Sequence, residues 1–329
     1  LAALESLLAG KAGEEMERKS TIFYGSLLLL ECFIWGVGNP IMKIGLEVVP
    51  PLFCLAVRYL LAFFLLLPFF AKRLKANLSR KKMVSYLVIS AFTAACFITC
   101  AFSLIYTTAT TAGFLMSTAV LFTPFLSYFV LKAKIDKKHA LPIIIVTVGL
   151  YLLCSGDGSF VFGLGEFFGI LCAIAGACML VFSSKYLQDN DPFTITVMQA
   201  GFTGLFCTVF ALIFEEIPSF ASIPMVGWGV IIYLAVGCTC IAYLLQNIAL
   251  RKVPPTYVAM AFCSEPIFTA IASYFLLGEV LSGKGLIGAG LIMTSIVMAS
   301  LIPEEPAADQ AEPLSDKVNE PAVPIRPSL

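Results

Sequence analysis

The chain has 329 residues, of which 59% are hydrophobic and only 13% charged, with a mean hydropathy of +0.94. Charged residues run near 25% in soluble domains, so a water-soluble enzyme is excluded. Lys+Arg and Asp+Glu each number 21, which leaves no basic excess to neutralise a nucleic-acid backbone; nucleic acid is not an expected partner. All eleven cysteines lie in apolar runs, no CxxC pair occurs, and the one histidine, His139, sits in a Lys-rich connector. No metal site and no cofactor are expected, and the cysteines read as small packing groups.

A helix that crosses a bilayer needs about 20 apolar residues, and a window of about 19 residues finds them in order. The chain opens at Leu1, and Met16-Glu17-Arg18-Lys19 directly precedes the first apolar run. Met16 is therefore the expected natural start, and 1–19 an amino-terminal segment outside the membrane. The first run, 21–42, is long enough to span and has no small-residue cleavage site close behind it, so it reads as a span and not as a signal peptide. Runs follow at 51–71, 84–105, 110–131 and 140–155, then the polar break Ser155-Gly156-Asp157-Gly158-Ser159 and a linker through 164. The pattern resumes at 165–185, 193–214, 225–247, 256–277 and 284–302. From Pro303 the composition turns to Pro, Glu and Ala, which predicts a disordered tail over 303–329. The fold class read from this is an all-α integral membrane protein with ten transmembrane helices, five in 20–155 and five in 165–302.

Lys and Arg concentrate in cytoplasmic connectors. Three precede the first span (Lys11, Arg18, Lys19), six follow the second (Lys72 to Lys82), and four follow the fourth (Lys132, Lys134, Lys137, Lys138). Lys185, Arg251, Lys252, Lys317 and Arg326 fall on the same side, against Lys43 and Lys284 on the other, with Arg58 inside a span. Eighteen against two predicts a multi-pass protein of the cell membrane with both termini cytoplasmic.

The second half slides over the first. An offset of 146 aligns Ser127-Tyr128-Phe129 with Ser273-Tyr274-Phe275, Leu131 with Leu277, Lys138 with Lys284 and Thr110 with Thr256. An offset of 140 pairs Cys32 with Cys172, Ile34 with Ile174 and Gly36 with Gly176. Five spans per copy is an odd number, so the copies enter the membrane from opposite sides as inverted repeats, the arrangement used for alternating access.

Trp35-Gly36, Asn39-Pro40 and Lys43 in the first span, Arg58 in the second, and Glu265-Pro266, Gly278-Glu279 and Gly288 in the second half resemble the EamA-type branch of the drug/metabolite transporter superfamily, over about 20–302. The resemblance implies a ten-helix exporter whose spans 3, 4, 8 and 9 surround the substrate path. The first half departs from the pattern: Lys132-Ala133 stands where the Gly-Glu pair would fall, and Pro124 is one turn away from the position matching Pro266.

Polar residues inside the spans are the site candidates, because a charge at a helix centre costs about 2.5–3.5 kcal/mol on insertion scales. Glu31, Trp35 and Asn39 share one helical stripe. Glu31 there needs a partner or a proton: it titrates during transport, or it forms an ion pair with Arg58. Arg58 in turn either grips a substrate carboxylate or only locks spans 1 and 2 together. Glu265 opens a stripe with Thr269 and Ser273 that lines a cavity or makes interhelical hydrogen bonds. Tyr243, Gln246 and Asn247, with Thr239, in span eight and Gln199 in span seven add amides and hydroxyls suited to a small polar metabolite. Gly169, Ala173 and Ala177 read as a packing seam, and Glu279 and Lys284 as residues that end helices. Thr107–Thr111 and Pro254-Pro255 read as tight turns between spans.

The leading reading is a secondary transporter that exports small polar metabolites such as amino acids by alternating access. Proton antiport and facilitated diffusion are both open as energy sources, so protons join the small-molecule substrate and the lipid bilayer as candidate partners. A passive facilitator or channel is the alternative, but neither a filter segment nor rings of charge occur. A membrane-embedded enzyme would need a His or Asp cluster, a Ser/Lys dyad or a metal site, and none is visible. No GxxxxGK[ST] loop is present for ATP-driven pumping. Nothing in the pattern specifies an oligomeric state.

Overall fold

Within lipid every backbone N–H and C=O must be satisfied inside the segment, and a chain this apolar meets that demand with helices. The computed structural model describes residues 2–133, 138, 140–154, 163–280 and 282–300, with side chains from 22 onward except 150, 153, 154, 296, 297, 299 and 300. The cationic side chains Lys11, Arg18, Lys19, Lys134 and Lys137, His139, the Ser155–Ser159 break and the tail beyond 300 lie outside the described residues.

The first half comprises α1 (Ala2–Leu46), α2 (Pro51–Asn77), α3 (Met83–Tyr106), α4 (Ala109–Ser117), α5 (Ala119–Leu131) and α6 (Ala140–Cys154). The second comprises α7 (Leu164–Leu187), α8 (Pro192–Phe214), α9 (Met225–Tyr233), a π-helical segment (Leu234–Ile241), α10 (Ala242–Leu250), α11 (Pro255–Phe262), α12 (Glu265–Leu277) and α13 (Gly283–Ser300). The segment ahead of the first span is helical and continuous with it. Collinear pieces merge into ten rods. Eight of these are long and apolar enough to cross a membrane among the described residues; α6 and α13 are the shorter pair. Prolines at the first turn open α2, α8 and α11, where the missing N–H costs nothing.

Three expected single spans are interrupted. The span expected over 110–131 breaks at Thr118, whose hydroxyl donates to Leu115 O at 2.6 Å. The 256–277 span breaks at Cys263–Ser264, because Pro266 has no N–H for the carbonyl one turn back. That carbonyl, Phe262 O, lies 3.5 Å from the Ser117 hydroxyl of the other joint. The 225–247 span passes through the π-segment, where Ala242 N–H bonds Gly237 O, five residues back.

The repeat holds to the residue in the broken helices: adding 146 to α5, Ala119–Leu131, gives α12, Glu265–Leu277. The residues after them, Lys132 at φ 57° and Gly278 at φ 68°, are the positive-φ residues among those described. Glycine takes that conformation freely, whereas lysine there costs about 1–2 kcal/mol. Packing follows the same pseudo-symmetry. α1 lies against α12 and the α9–π–α10 rod, as its mate α7 lies against α5 and α3; α2 pairs with α8, and α6 with α13. Gly169, Ala173 and Ala177 are buried on α7, as a packing seam requires. At Gly36 the close approach is severe: a Cβ would sit 2.5 Å from Phe268 Cβ and 2.8 Å from Glu265 O. Only glycine lets α1 lie this close to the start of α12.

Candidate functional site

A cavity of about 80 Å³, several times what one water needs, lies between the two repeats. The first repeat lines it with Trp35, Asn39 and Met42 of α1, Arg58 of α2, Cys96, Phe97 and Cys100 of α3, and Ser117 and Ala119 at the α4–α5 joint. The second contributes Cys172, Gly176 and Met179 of α7, Leu234 and Cys238 of the π-segment, Phe262 of α11 and Glu265 at the start of α12. The walls are apolar and aromatic with a few converging polar groups, the usual make-up of a small-molecule site.

Its polar groups are held by partners from the opposite repeat. Asn39 Nδ2 donates to Glu265 Oε1 at 2.9 Å and to Thr269 Oγ1 at 3.1 Å, so one amide joins α1 to two turns of α12. Arg58, fully buried, donates from Nε to Thr239 Oγ1 at 2.8 Å and from Nη2 to Cys238 O at 3.4 Å. Its guanidinium carbon lies 4.7 Å from the Phe97 ring centre and 5.0 Å from that of Tyr59, within cation–π range. Trp35 Nε1 donates to the same Cys238 carbonyl at 2.8 Å, and its ring makes edge contacts with Phe97, Tyr243 and Phe262. One carbonyl of the π-segment therefore holds both the indole and the arginine, a use of local helix irregularity typical of functional sites.

The structure divides the sequence candidates into three groups. Trp35, Asn39, Arg58 and Glu265 meet at the cavity. Thr269 is buried behind it as an interhelical partner, so the two readings of the Glu265 stripe hold at different residues. Glu31 is fully buried and off the cavity wall, and among the described residues neither carboxylate oxygen has a hydrogen-bond partner. The Glu31–Arg58 ion pair is not formed, because Arg58 is committed to Thr239 and Cys238; Glu31 instead lies within electrostatic range of Glu265.

Gln199, Tyr243, Gln246 and Asn247 do not line the cavity either. Gln199 Nε2 donates to Thr93 Oγ1 at 2.8 Å, and Asn247 Nδ2 donates to Thr196 Oγ1 at 3.0 Å and Gln199 Oε1 at 3.3 Å. These amides bond across α3, α8 and α10, with Asn247 Oδ1 left unpaired among the described residues. Tyr243 meets Tyr59 hydroxyl to hydroxyl at 3.2 Å, while Gln246 is buried with neither amide atom paired. Sequence reasoning missed the thiol wall, where Cys96 Sγ and Cys172 Sγ lie 3.6 Å apart. The i, i+4 spacing of Cys96 and Cys100 was the available signal. The π-segment had none.

Known proteins fit this architecture. A solved crystal structure that is 16% identical superposes with a TM-score of 0.66, covering 86% of this chain and 97% of its own, a likeness of fold. An "Uncharacterized transporter" of Archaeoglobus fulgidus is 28% identical over 78% of this chain and 78% of its own length. A protein of Salmonella typhimurium named "Probable amino-acid metabolite efflux pump" is 27% identical over 79% of this chain and 88% of its own, and one of the same name in Escherichia coli K12 is 26% identical over the same shares. The EamA-like transporter family matches residues 23–155 and 163–301, one match on each five-rod half. With ten helical rods, an inter-repeat cavity and two matches that together span most of its length, the chain belongs to the EamA-like transporter family.

Proposed function

We propose that this transporter exports small polar metabolites, amino acids among them, from the cytoplasm by alternating access, with the cation-rich end and both termini facing the cytoplasm. The observation that carries the reading is one cavity, built by both repeats, whose wall carries a buried guanidinium and a carboxylate, each bonded to the opposite repeat and each able to exchange those partners for a solute. A zwitterion presents the complementary pair: its carboxylate suits the fork of Arg58 and its ammonium suits Glu265. Trp35, Phe97 and Phe262 would cover the apolar part of such a solute. The names of the Salmonella and Escherichia relatives add support for amino-acid metabolites and for the direction of export. The units 20–155 and 165–302 act as the two repeats, and a conformational exchange between them exposes the site to one side and then the other.

The proposed energy source is proton antiport. Glu265 releases its proton when the cationic group of the solute arrives, and Glu31, one α1 turn from Trp35 and within electrostatic range of Glu265, is the second carboxyl of the exchange. Mass-spectrometric profiling of proteoliposomes offered amino acids, organic acids and nucleosides, with and without an acidic lumen, tests this. Accumulation of an amino acid above equilibrium only with the acidic lumen is the expected result. Equilibration regardless of the gradient would make the protein a facilitator and remove the coupling role from both glutamates.

A further inference from the structure

At the cation-poor end of the bundle, three rods that border the cavity are tied by one cluster. Glu279, just past α12, accepts from the backbone N–H groups of Ala109 and Thr110 at 3.0 Å each and from Thr110 Oγ1 at 2.6 Å. It thereby caps α4 from another helix, where the exposed N–H groups favour a negative charge. Lys43, near the end of α1, donates to Thr107 O at 2.6 Å and lies 3.7 Å from the Glu279 carboxylate. The end of α1, the α3–α4 turn and the end of α12 are therefore tied together at that end by four hydrogen bonds and one ion pair.

The repeat predicts an equivalent cluster at the other end, where Thr256 matches Thr110 but the charged members are missing. The mate of Glu279 is Ala133, which has no carboxylate. The mate of Ala109 is Pro255, which has no N–H to donate. At the offset of 140 that relates α1 to α7, the mate of Lys43 is Ser183, whose buried hydroxyl has no hydrogen-bond partner. The backbone is matched: α5 meets α11 as α12 meets α4, and Lys132 and Gly278 turn the chain alike. At these matched positions the pairing chemistry is one-sided; the polar ties of the opposite end, Lys82 to Asp189, Tyr86 to Asn190 and Arg73 to Asp191, join other elements.

We infer that Lys43, Thr110 and Glu279 form a one-sided latch that makes closure of the cation-poor end the resting state, so that opening toward that side requires the latch to break first. The inference rests on the alternating-access reading above. In an inverted-repeat transporter the two closed forms are near mirror images, and an interaction present in one and absent from the other shifts their populations by its full differential free energy. Solute in the cavity then has to supply what the latch withholds.

Hydrogen–deuterium exchange on the full chain in lipid nanodiscs tests the latch without any solute. The E279Q variant keeps the size and loses the charge. Peptides covering 105–112 are expected to exchange at least about fivefold faster, and peptides covering 251–258 at the opposite end to exchange more slowly, as the population moves. K43M is expected to move both ends in the same directions with smaller amplitude, and it also serves if E279Q does not fold. Unchanged exchange at 105–112, or a rise there with no slowing at 251–258, overturns the latch; the second result would reduce it to a local staple. The transport reading fails separately, through a wild-type chain that moves no solute in proteoliposomes.

Discussion

The two broken rods, α4–α5 and α11–α12, share their bounds to within one residue under a constant offset, yet the position that opens the second piece is Ala119 in one and Glu265 in the other, both on the cavity wall. The backbone of the repeat is conserved in geometry while its chemistry has diverged. A symmetric pair of carboxylates across so small a space would repel, and burying both would cost several kcal/mol per ion. One joint places a carboxyl on the cavity wall, and the other a methyl group. Asn39 reads the difference, since it reaches across from α1 to the charged joint alone.

The largest expected effect comes from erasing that asymmetry. In E265Q the amide still accepts from Asn39 but carries no charge and exchanges no proton. Gradient-driven uptake into proteoliposomes is expected to fall by about a hundredfold, the lower end of what losing a proton-transfer group costs, while thermal unfolding stays within about 1 kcal/mol of wild type. Full coupled uptake by E265Q would show that the carboxylate is structural. The cation is the next point to press. R58K keeps the charge but loses the planar fork that meets Thr239 and stacks over Tyr59 and Phe97. Uptake at fixed solute concentration is expected to drop about tenfold, equivalent to about 1.4 kcal/mol, mainly through weaker apparent affinity. A change confined to maximal rate would place Arg58 in the conformational step instead.

Much of this was readable in advance, for reasons that differ by residue. The repeat showed through Ser127-Tyr128-Phe129 and Ser273-Tyr274-Phe275 because those residues occupy the same positions of matching helices, with both serines buried and both aromatic pairs on the outer face. Trp35, Asn39, Arg58 and Glu265 stood out because a polar group inside an apolar run must face protein or water. The same rule selected Gln199 and Asn247, which face protein and bond each other. A single sequence does not distinguish a polar side chain that faces a cavity from one that faces another polar side chain. The π-segment was invisible because Gly237-Cys238-Thr239 carries no local signal for an i, i+5 bond; what the structure adds is that Trp35 and Arg58 both bond the Cys238 carbonyl within it. The position of Glu279 marks it as a residue at a helix end, but not that the helix it caps is α4, with a partner 170 positions away in sequence.

Two smaller changes test how far the α1–α12 contact sets the site. G36A places a Cβ 2.5 Å from Phe268 Cβ and 2.8 Å from Glu265 O, so α1 must move away. Overpacking of this kind costs about 1–3 kcal/mol. A fall in melting temperature together with loss of uptake is expected, because Asn39 no longer reaches Glu265. T269V is the mildest. It keeps the shape and removes one of the two acceptors of Asn39, leaving the Glu265 contact in place. Interhelical hydrogen bonds in membranes average about 0.6 kcal/mol, so unfolding should shift by roughly that amount and uptake by less than a factor of about three. If T269V instead lost uptake as completely as E265Q, Asn39 would depend on both acceptors for its orientation. The polar side of the cavity would then be a three-residue unit rather than a single carboxylate with a neighbour.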